Sequence, residues 1–136
     1  MQITTADKWT NALAALFTFA TDEASTQRGG ATLIATIQGT QTLGDVLDSA
    51  ISKGDVVVAI DGAELLGFAL CRRGVLEAVY VLRERRREGV ARALVNAVLA
   101  QRDEILDAYA LPGDRATKSL YESFGWKARL LTMRAE

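Results

Sequence analysis

Residues 83–92 read Arg-Glu-Arg-Arg-Arg-Glu-Gly-Val-Ala-Arg, between the apolar run Leu76–Leu82 and a helical pattern that begins near Gly89. A loop that enters a helix presents several backbone N–H groups without acceptors, and the helix N-terminus carries about half a positive charge. Together these make a seat for an anion, and a phosphate or pyrophosphate suits it. Gly89 and Ala91 keep side chains small, so an anion can come close to the backbone. Five arginines (83, 85, 86, 87, 92) against two glutamates (84, 88) give the segment a charge of +3 in a chain of net charge -1, so the remainder carries -4. The segment is not a Walker loop, which needs a lysine followed by serine or threonine. It also lacks the G-x-G-x-x-G fingerprint of dinucleotide sites. An arginine-rich helix start is equally at home as solvated surface, and these residues alone leave the two readings level.

What the chain lacks bounds the rest of its chemistry. It has no histidine and a single cysteine, Cys71. That removes Ser-His-Asp and Cys-His triads, histidine general bases and imidazole or cysteine-rich metal sites, so no metal is expected. No intramolecular disulfide can form, which fits a reducing cytoplasm. Without a histidine to activate it, Cys71 reads as an inert strand residue. Sixteen basic residues against 17 acidic ones argue against a nucleic-acid binder. The N-terminus has no basic segment followed by an apolar one, and no apolar run approaches the roughly 20 residues of a membrane span, so no membrane partner is expected.

These residues need a scaffold, and 136 residues suffice for one domain, 1–136. At 49% hydrophobic and 24% charged, the composition is that of a globular protein. Gln2–Thr4 is a short strand candidate. Trp9, Leu13, Leu16, Phe17 and Ala20 fall on one face of a helix, with Trp9 expected in the core. Thr21–Ala31 reads as a surface loop and Thr32–Ile37 as a weak strand. Leu43, Val46, Leu47, Ala50 and Ile51 mark a second helix, with Thr42 as N-cap and Gly54 at its end. Asp55–Ile60 and Leu65–Arg72 flank Asp61-Gly62 as a hairpin with a slightly lengthened loop. Leu76–Leu82 is a strand, about Gly89–Gln101 a helix, Ile105–Ala110 a strand, Asp114 the cap of a helix reaching Gly125, and Lys127–Met133 a last strand. The order implies an α/β fold: a mixed sheet with helices on both faces.

Arg86-Arg87-Glu88-Gly89-Val90-Ala91 resembles the R/Q-x-x-G-x-G/A signature of the GCN5-related N-acetyltransferase (GNAT) superfamily. Leu76-Glu77-Ala78-Val79-Tyr80-Val81 resembles that family's fourth strand, Leu66-Gly67-Phe68-Ala69 its third, and Leu120-Tyr121 through Gly125-Trp126 its L-Y-x-x-x-G-F segment. The resemblance covers residues 55–136 well and 1–54 in outline. Arg83 stands where proline is common, and Asp114 where asparagine is common.

The resemblance implies acetyl-coenzyme A as acyl donor and direct attack by a primary amine. It places the cofactor's phosphates on the amides of Arg86, Arg87, Glu88, Gly89, Val90 and Ala91, with Arg87 and Arg92 as side-chain partners. The pantetheine arm falls along Val79, Tyr80 and Val81, and Asp114 is a further contact. Tyr121 would protonate the departing thiolate, against a plain reading as a core tyrosine. Glu77 would take the amine's proton, against a plain reading as a strand-end charge. Tyr80 and Tyr109 are packing or pocket residues. The acceptor is a small-molecule or protein amine, and a homodimer through the C-terminal strand is expected from a thinly covered sheet edge. The alternative is a non-catalytic acyl-CoA-binding sensor or interaction module that kept the loop.

Overall fold

The computed structural model describes residues 1–102, 104 and 106–135. Its strands pair in chain order: β1 (Gln2–Thr5), β2 (Val56–Asp61), β3 (Glu64–Arg72), β4 (Val75–Val81) and β5 (Asp107–Ala108) form one sheet, β1-β2-β3-β4-β5. The first four are antiparallel, and β5 runs parallel to β4. A parallel return needs a crossover, and α4 (Val90–Ala100) supplies it. The other helices are α1 (Asn11–Ser25), α2 (Gly30–Gln38), α3 (Leu43–Ser52) and α5 (Arg115–Ser123).

Side chains alternate across a strand, and here both faces are covered. Val56, Val58, Phe68 and Leu70 pack on Leu13, Leu16 and Phe17 of α1, Ile37 of α2 and Val46 and Leu47 of α3. Val57, Ala59, Leu66, Ala69 and Leu76 pack on Val90, Leu94, Val95 and Val98 of α4 and on Tyr121 of α5. This is the mixed sheet with helices on both faces that the element order implies.

Several elements differ from the sequence reading. Thr32–Ile37 lies within α2 and not in a strand, because Leu33 and Ile37, four residues apart, pack as a helical face against the first core. The expected loop over 21–31 shrinks, since α1 continues to Ser25. The β2–β3 loop is only Gly62-Ala63, closed by the pair Asp61↔Glu64, with Gly62 at φ 61, a conformation suited to glycine at the first position of a tight hairpin. Lys127–Met133 forms no strand; Leu130, Leu131 and Met133 are exposed. Of the strand expected over 105–110, Asp107–Ala108 is formed and Ile105 lies outside the described residues. Trp9 precedes α1 and is 43% exposed, so it does not fill the core.

Two irregularities of β4 shape the site. Leu70 pairs with Ala78 and Cys71 with Leu76, so Glu77 is the extra residue of a bulge. At the other end a Cβ on Gly67 would meet the carbonyl of Tyr80 at 2.5 Å, so only glycine allows β3 and β4 to approach there. β5 pairs only with Val75 and Leu76. Among the described residues no strand covers the outer edge of β4 from Glu77 to Val81.

Candidate active site

β4 ends at Val81, and a single 3₁₀ turn, Arg83–Arg85, leads into the loop before α4. Arg87 (φ 66) and Gly89 (φ 84) are both left-handed, and Gly89 is the N-cap of α4. Among the described residues no backbone or side-chain acceptor takes the amides of Arg87 to Arg92; the first amide of α4 to find one is that of Ala93, on the Gly89 carbonyl at 3.0 Å. Successive N–H groups around a left-handed residue form a concave anion seat. A Cβ at Gly89 would meet nothing within 4 Å, so the space above the backbone is open.

The five arginines divide. Arg85 is held by Asp61 at 3.1 Å, by Glu64 and by Glu88 at 3.1 Å. Glu23 of α1 takes Arg86 at 3.0 Å and Arg83 at 3.6 Å. The Arg86 Nε also donates to the Val81 carbonyl at 2.9 Å, and its guanidinium lies 5.3 Å from the centre of the Tyr80 ring. Carboxylates brought from β2, β3 and α1 therefore neutralise much of the charge that the local count of +3 assigns to the loop. Among the described residues Arg87 and Arg92 have no carboxylate partner. Arg92 donates to Ser123 Oγ at 2.8 Å and covers the Phe124 ring at 5.1 Å, which fixes the end of α5 against the start of α4.

The open edge of β4 sorts its residues. The Leu82 amide donates to the Leu66 carbonyl at 2.8 Å. Antiparallel alternation then turns the backbone groups of Tyr80 toward β3 and those of Val79 and Val81 outward. Val79 offers both its N–H and its carbonyl, and Val81 its N–H, since Arg86 takes its carbonyl. Tyr80 contributes its ring, which packs 6.3 Å from Phe68. Burial, then the nearby Glu23 carboxylate, raises its phenol above the ordinary tyrosine value.

Tyr121 is 6% exposed, and its hydroxyl is the one buried side-chain polar atom without a partner among the described residues. Its ring stacks 5.2 Å from Trp126, which packs 5.9 Å from Phe124. Burial, and secondarily the charge of Asp114, pushes its phenol well above the usual tyrosine range, so it stays protonated at neutral pH. An orphaned buried donor of this kind fits a ligand atom that the chain does not supply. Asp114 itself caps α5: one oxygen accepts from the Thr117 amide at 3.1 Å, the other from the Thr117 hydroxyl at 2.7 Å.

Glu77 is 5% exposed and forms a bidentate pair with Arg72, whose Nη2 also donates to the Ile37 carbonyl in the last turn of α2 at 2.7 Å. A carboxylate has about four acceptor positions, and Arg72 takes two. Cys71 is buried, and burial raises its thiol, as suits an inert residue. Tyr109 is at the surface, 37% exposed. Neither of two surface recesses touches the loop: one of about 400 Å³ lies along Ala31, Thr32, Ala35 and Thr36 with Arg134, and one of about 150 Å³ lies between Lys53, Asp55, Arg72 and Arg73. The site rests on open backbone donors and one orphaned hydroxyl. Reading the sequence does not find Arg72 or Glu23. Arg72 follows an apolar strand like any edge charge, and Glu23 lies 63 residues from Arg86.

A family model described as an acetyltransferase (GNAT) domain matches residues 52–128, from the end of α3 past α5. No curated protein matches. Among solved structures the chain is similar to a Pyrococcus furiosus protein assigned to the acetyl transferases (16% identity over 99% of this chain and 98% of that one, TM-score 0.67). It is similar to a ribosomal-protein-alanine N-acetyltransferase from Brucella melitensis biovar Abortus 2308 (18% identity, 86% and 95%, TM-score 0.55). A third is AAC(6')-Iy in complex with the bisubstrate analogue CoA-S-monomethyl-acetylneamine (16% identity, 85% and 91%, TM-score 0.52). At such identities the structures speak for the fold, a mixed sheet laid out in the same way. The family match covers more than half of the chain and contains the loop, β4 and Tyr121, and by it the chain belongs to the GNAT family of acetyltransferases.

Proposed function

We propose that this protein transfers an acetyl group from acetyl-coenzyme A to a primary amine. The observation that carries this reading is the row of unengaged amides from Arg87 to Arg92, ending on the open surface of Gly89. That row suits a pyrophosphate, and Arg87 and Arg92 add side-chain charge beside it. The outward backbone groups of Val79 and Val81 suit the amide-bearing pantetheine arm. The coenzyme A moiety in the AAC(6')-Iy complex agrees with this donor class.

The chemistry assigned to the chain's own residues follows from their surroundings. The amine nitrogen forms a bond to the thioester carbonyl carbon, the carbon–sulfur bond breaks, and the nitrogen gives up one proton. Tyr121, neutral and unpartnered, donates its hydroxyl proton to the departing sulfur. Glu77 accepts the amine's proton through one of the acceptor positions that Arg72 leaves, directly or by way of water. The outward N–H groups of β4 polarise the thioester carbonyl without reorganising. The acceptor is an amine of a small molecule or of a protein, and the outer edge of β5, which pairs with no strand among the described residues, serves a homodimer together with the exposed segment after Trp126.

A coenzyme A release assay across an amine panel, with mass spectrometry of the products, tests the reading. An acetylated amine, heavier by one acetyl group, supports it; absence of turnover with every amine class counts against it. One observation favours a second reading, a non-catalytic acyl-coenzyme A binder: both oxygens of Glu77 are already held by Arg72. Saturable coenzyme A binding with no product from any amine selects that reading.

A further inference from the structure

Arg86 belongs by sequence to the anion-binding loop, yet its side chain is engaged inside the chain. Its Nε donates to the last carbonyl of β4 at 2.9 Å, and its two terminal nitrogens reach Glu23 at 3.3 and 3.0 Å. Arg86 holds that carboxyl below the usual glutamate value, so Glu23 is charged at neutral pH. Next in the chain comes Arg87, a non-glycine residue at φ 66. Such a conformation persists only where its surroundings over-determine it. The tethers lie on either side: Arg86 is tied to Glu23 and Val81, and Glu88 is tied to Arg85, which also holds Asp61 and Glu64.

We infer that Glu23 is a positioning residue for the acyl donor: by fixing Arg86 it holds Arg87 left-handed, so that the amides of Arg87 to Arg92 face outward together. This rests on the reading of that loop as the coenzyme A seat. It links the helical layer α1–α3 to donor binding through one carboxylate at the end of α1. Electrostatics alone gives the opposite expectation. A carboxylate near a pyrophosphate repels it, so a Glu23 that did nothing for the loop would weaken donor binding by its charge, and its neutralisation would tighten binding.

The sign of the effect therefore tests the inference. Glu23→Gln keeps the size of the side chain and removes the charge. Titration calorimetry of the full chain should show coenzyme A binding weakened about tenfold, the scale of a lost charge-assisted pair discounted for partial exposure. Binding of pantetheine, which has no pyrophosphate, should be unchanged. In steady state the loss should fall on KM for acetyl-coenzyme A with kcat retained. Because Glu23 acts through Arg86, Glu23→Gln combined with Arg86→Gln should bind no worse than Arg86→Gln alone. Unchanged or tighter coenzyme A binding by Glu23→Gln, an equal loss for pantetheine, or additive losses in the double variant overturns the inference. A wild-type protein that fails to bind coenzyme A overturns the loop reading itself and this inference with it, whereas a binding wild type beside an unaffected Glu23→Gln overturns the inference only.

Discussion

Removing the Tyr121 hydroxyl should have two effects of opposite sign. The hydroxyl is buried and without a partner among the described residues, so Tyr121→Phe relieves a desolvated donor worth about 1 kcal/mol, which corresponds to a rise in melting temperature of roughly 3 °C for a chain of this size. The same change should lower kcat by about tenfold to a hundredfold with acetyl-coenzyme A affinity kept, since a general acid acts in the transition state. Differential scanning fluorimetry beside steady-state kinetics checks both; a destabilised variant of full activity contradicts both halves. The raised phenol value also fixes an alkaline signature. The folded tyrosine keeps its proton where the unfolded one, with a value near 10, loses it. Its contribution is thus fully present below about pH 10 and falls as pH rises beyond, a slope that Tyr121→Phe should flatten. Glu77 behaves differently. Glu77→Gln leaves Arg72 charged and without its counter-ion in a place where both side chains are nearly buried. Breaking such a pair costs about 3 kcal/mol or more, roughly 10 °C in melting temperature. Its kinetics are therefore informative only well below that transition. There, a kcat deficit that shrinks as pH rises marks a proton acceptor, and a raised KM alone marks a binder of the cationic amine.

At the level of elements, the loop between β4 and α4 tests the anion seat most directly. Gly89 sits at φ 84 with open space above it, so Gly89→Ala pays only for a left-handed non-glycine residue, about 1–2 kcal/mol. Gly89→Val adds a branched side chain over the amides. Calorimetry should show coenzyme A binding weakened far more by Val than by Ala in folded protein, and equal affinities would remove the pyrophosphate assignment. The loop, its glycine and Tyr121 were legible because their signals are local: small residues and arginines at a strand-to-helix junction, and an aromatic segment before a glycine. α3 with its Thr42 cap, β2 through β4 and the Asp114 cap were legible for the same reason. α2 was not, since Thr32-Leu33-Ile34-Ala35-Thr36-Ile37 is β-branched, and only packing of Leu33 and Ile37 against the first core selects the helix. The tight Gly62-Ala63 turn depended on the pairing register, which only the partner strand fixes. The Glu23–Arg86 and Arg72–Ile37 contacts join parts of the chain 63 and 35 residues apart, and no local pattern announces them.

On the scale of the whole molecule the sheet is unequal at its ends. β1 is four residues long, whereas β5 is two residues long, parallel, and paired only with the start of β4. Beyond Trp126 the chain runs as Lys127-Ala128-Arg129-Leu130-Leu131-Thr132-Met133, strand-like in composition yet irregular, with Leu130 87%, Leu131 70% and Met133 84% exposed. Three large apolar side chains at that exposure lie together on a segment next in sequence to the second core, and among the described residues no strand pairs with the outer edge of β5. Each is a partner for the other's deficiency, but among the described residues no strand within one copy closes both. The proposed homodimer would be a two-fold arrangement in which each segment meets the edge or the segment of its mate. Leu131→Lys and Met133→Lys together should shift the protein from dimer to monomer in sedimentation velocity at micromolar concentration. They should leave coenzyme A binding unchanged, because the loop joins β4 to α4 and is tethered by side chains of α1, β2 and β3. A wild-type protein that stays monomeric into the high micromolar range, or a doubly substituted one that still dimerises, would show that these exposed side chains serve no self-association.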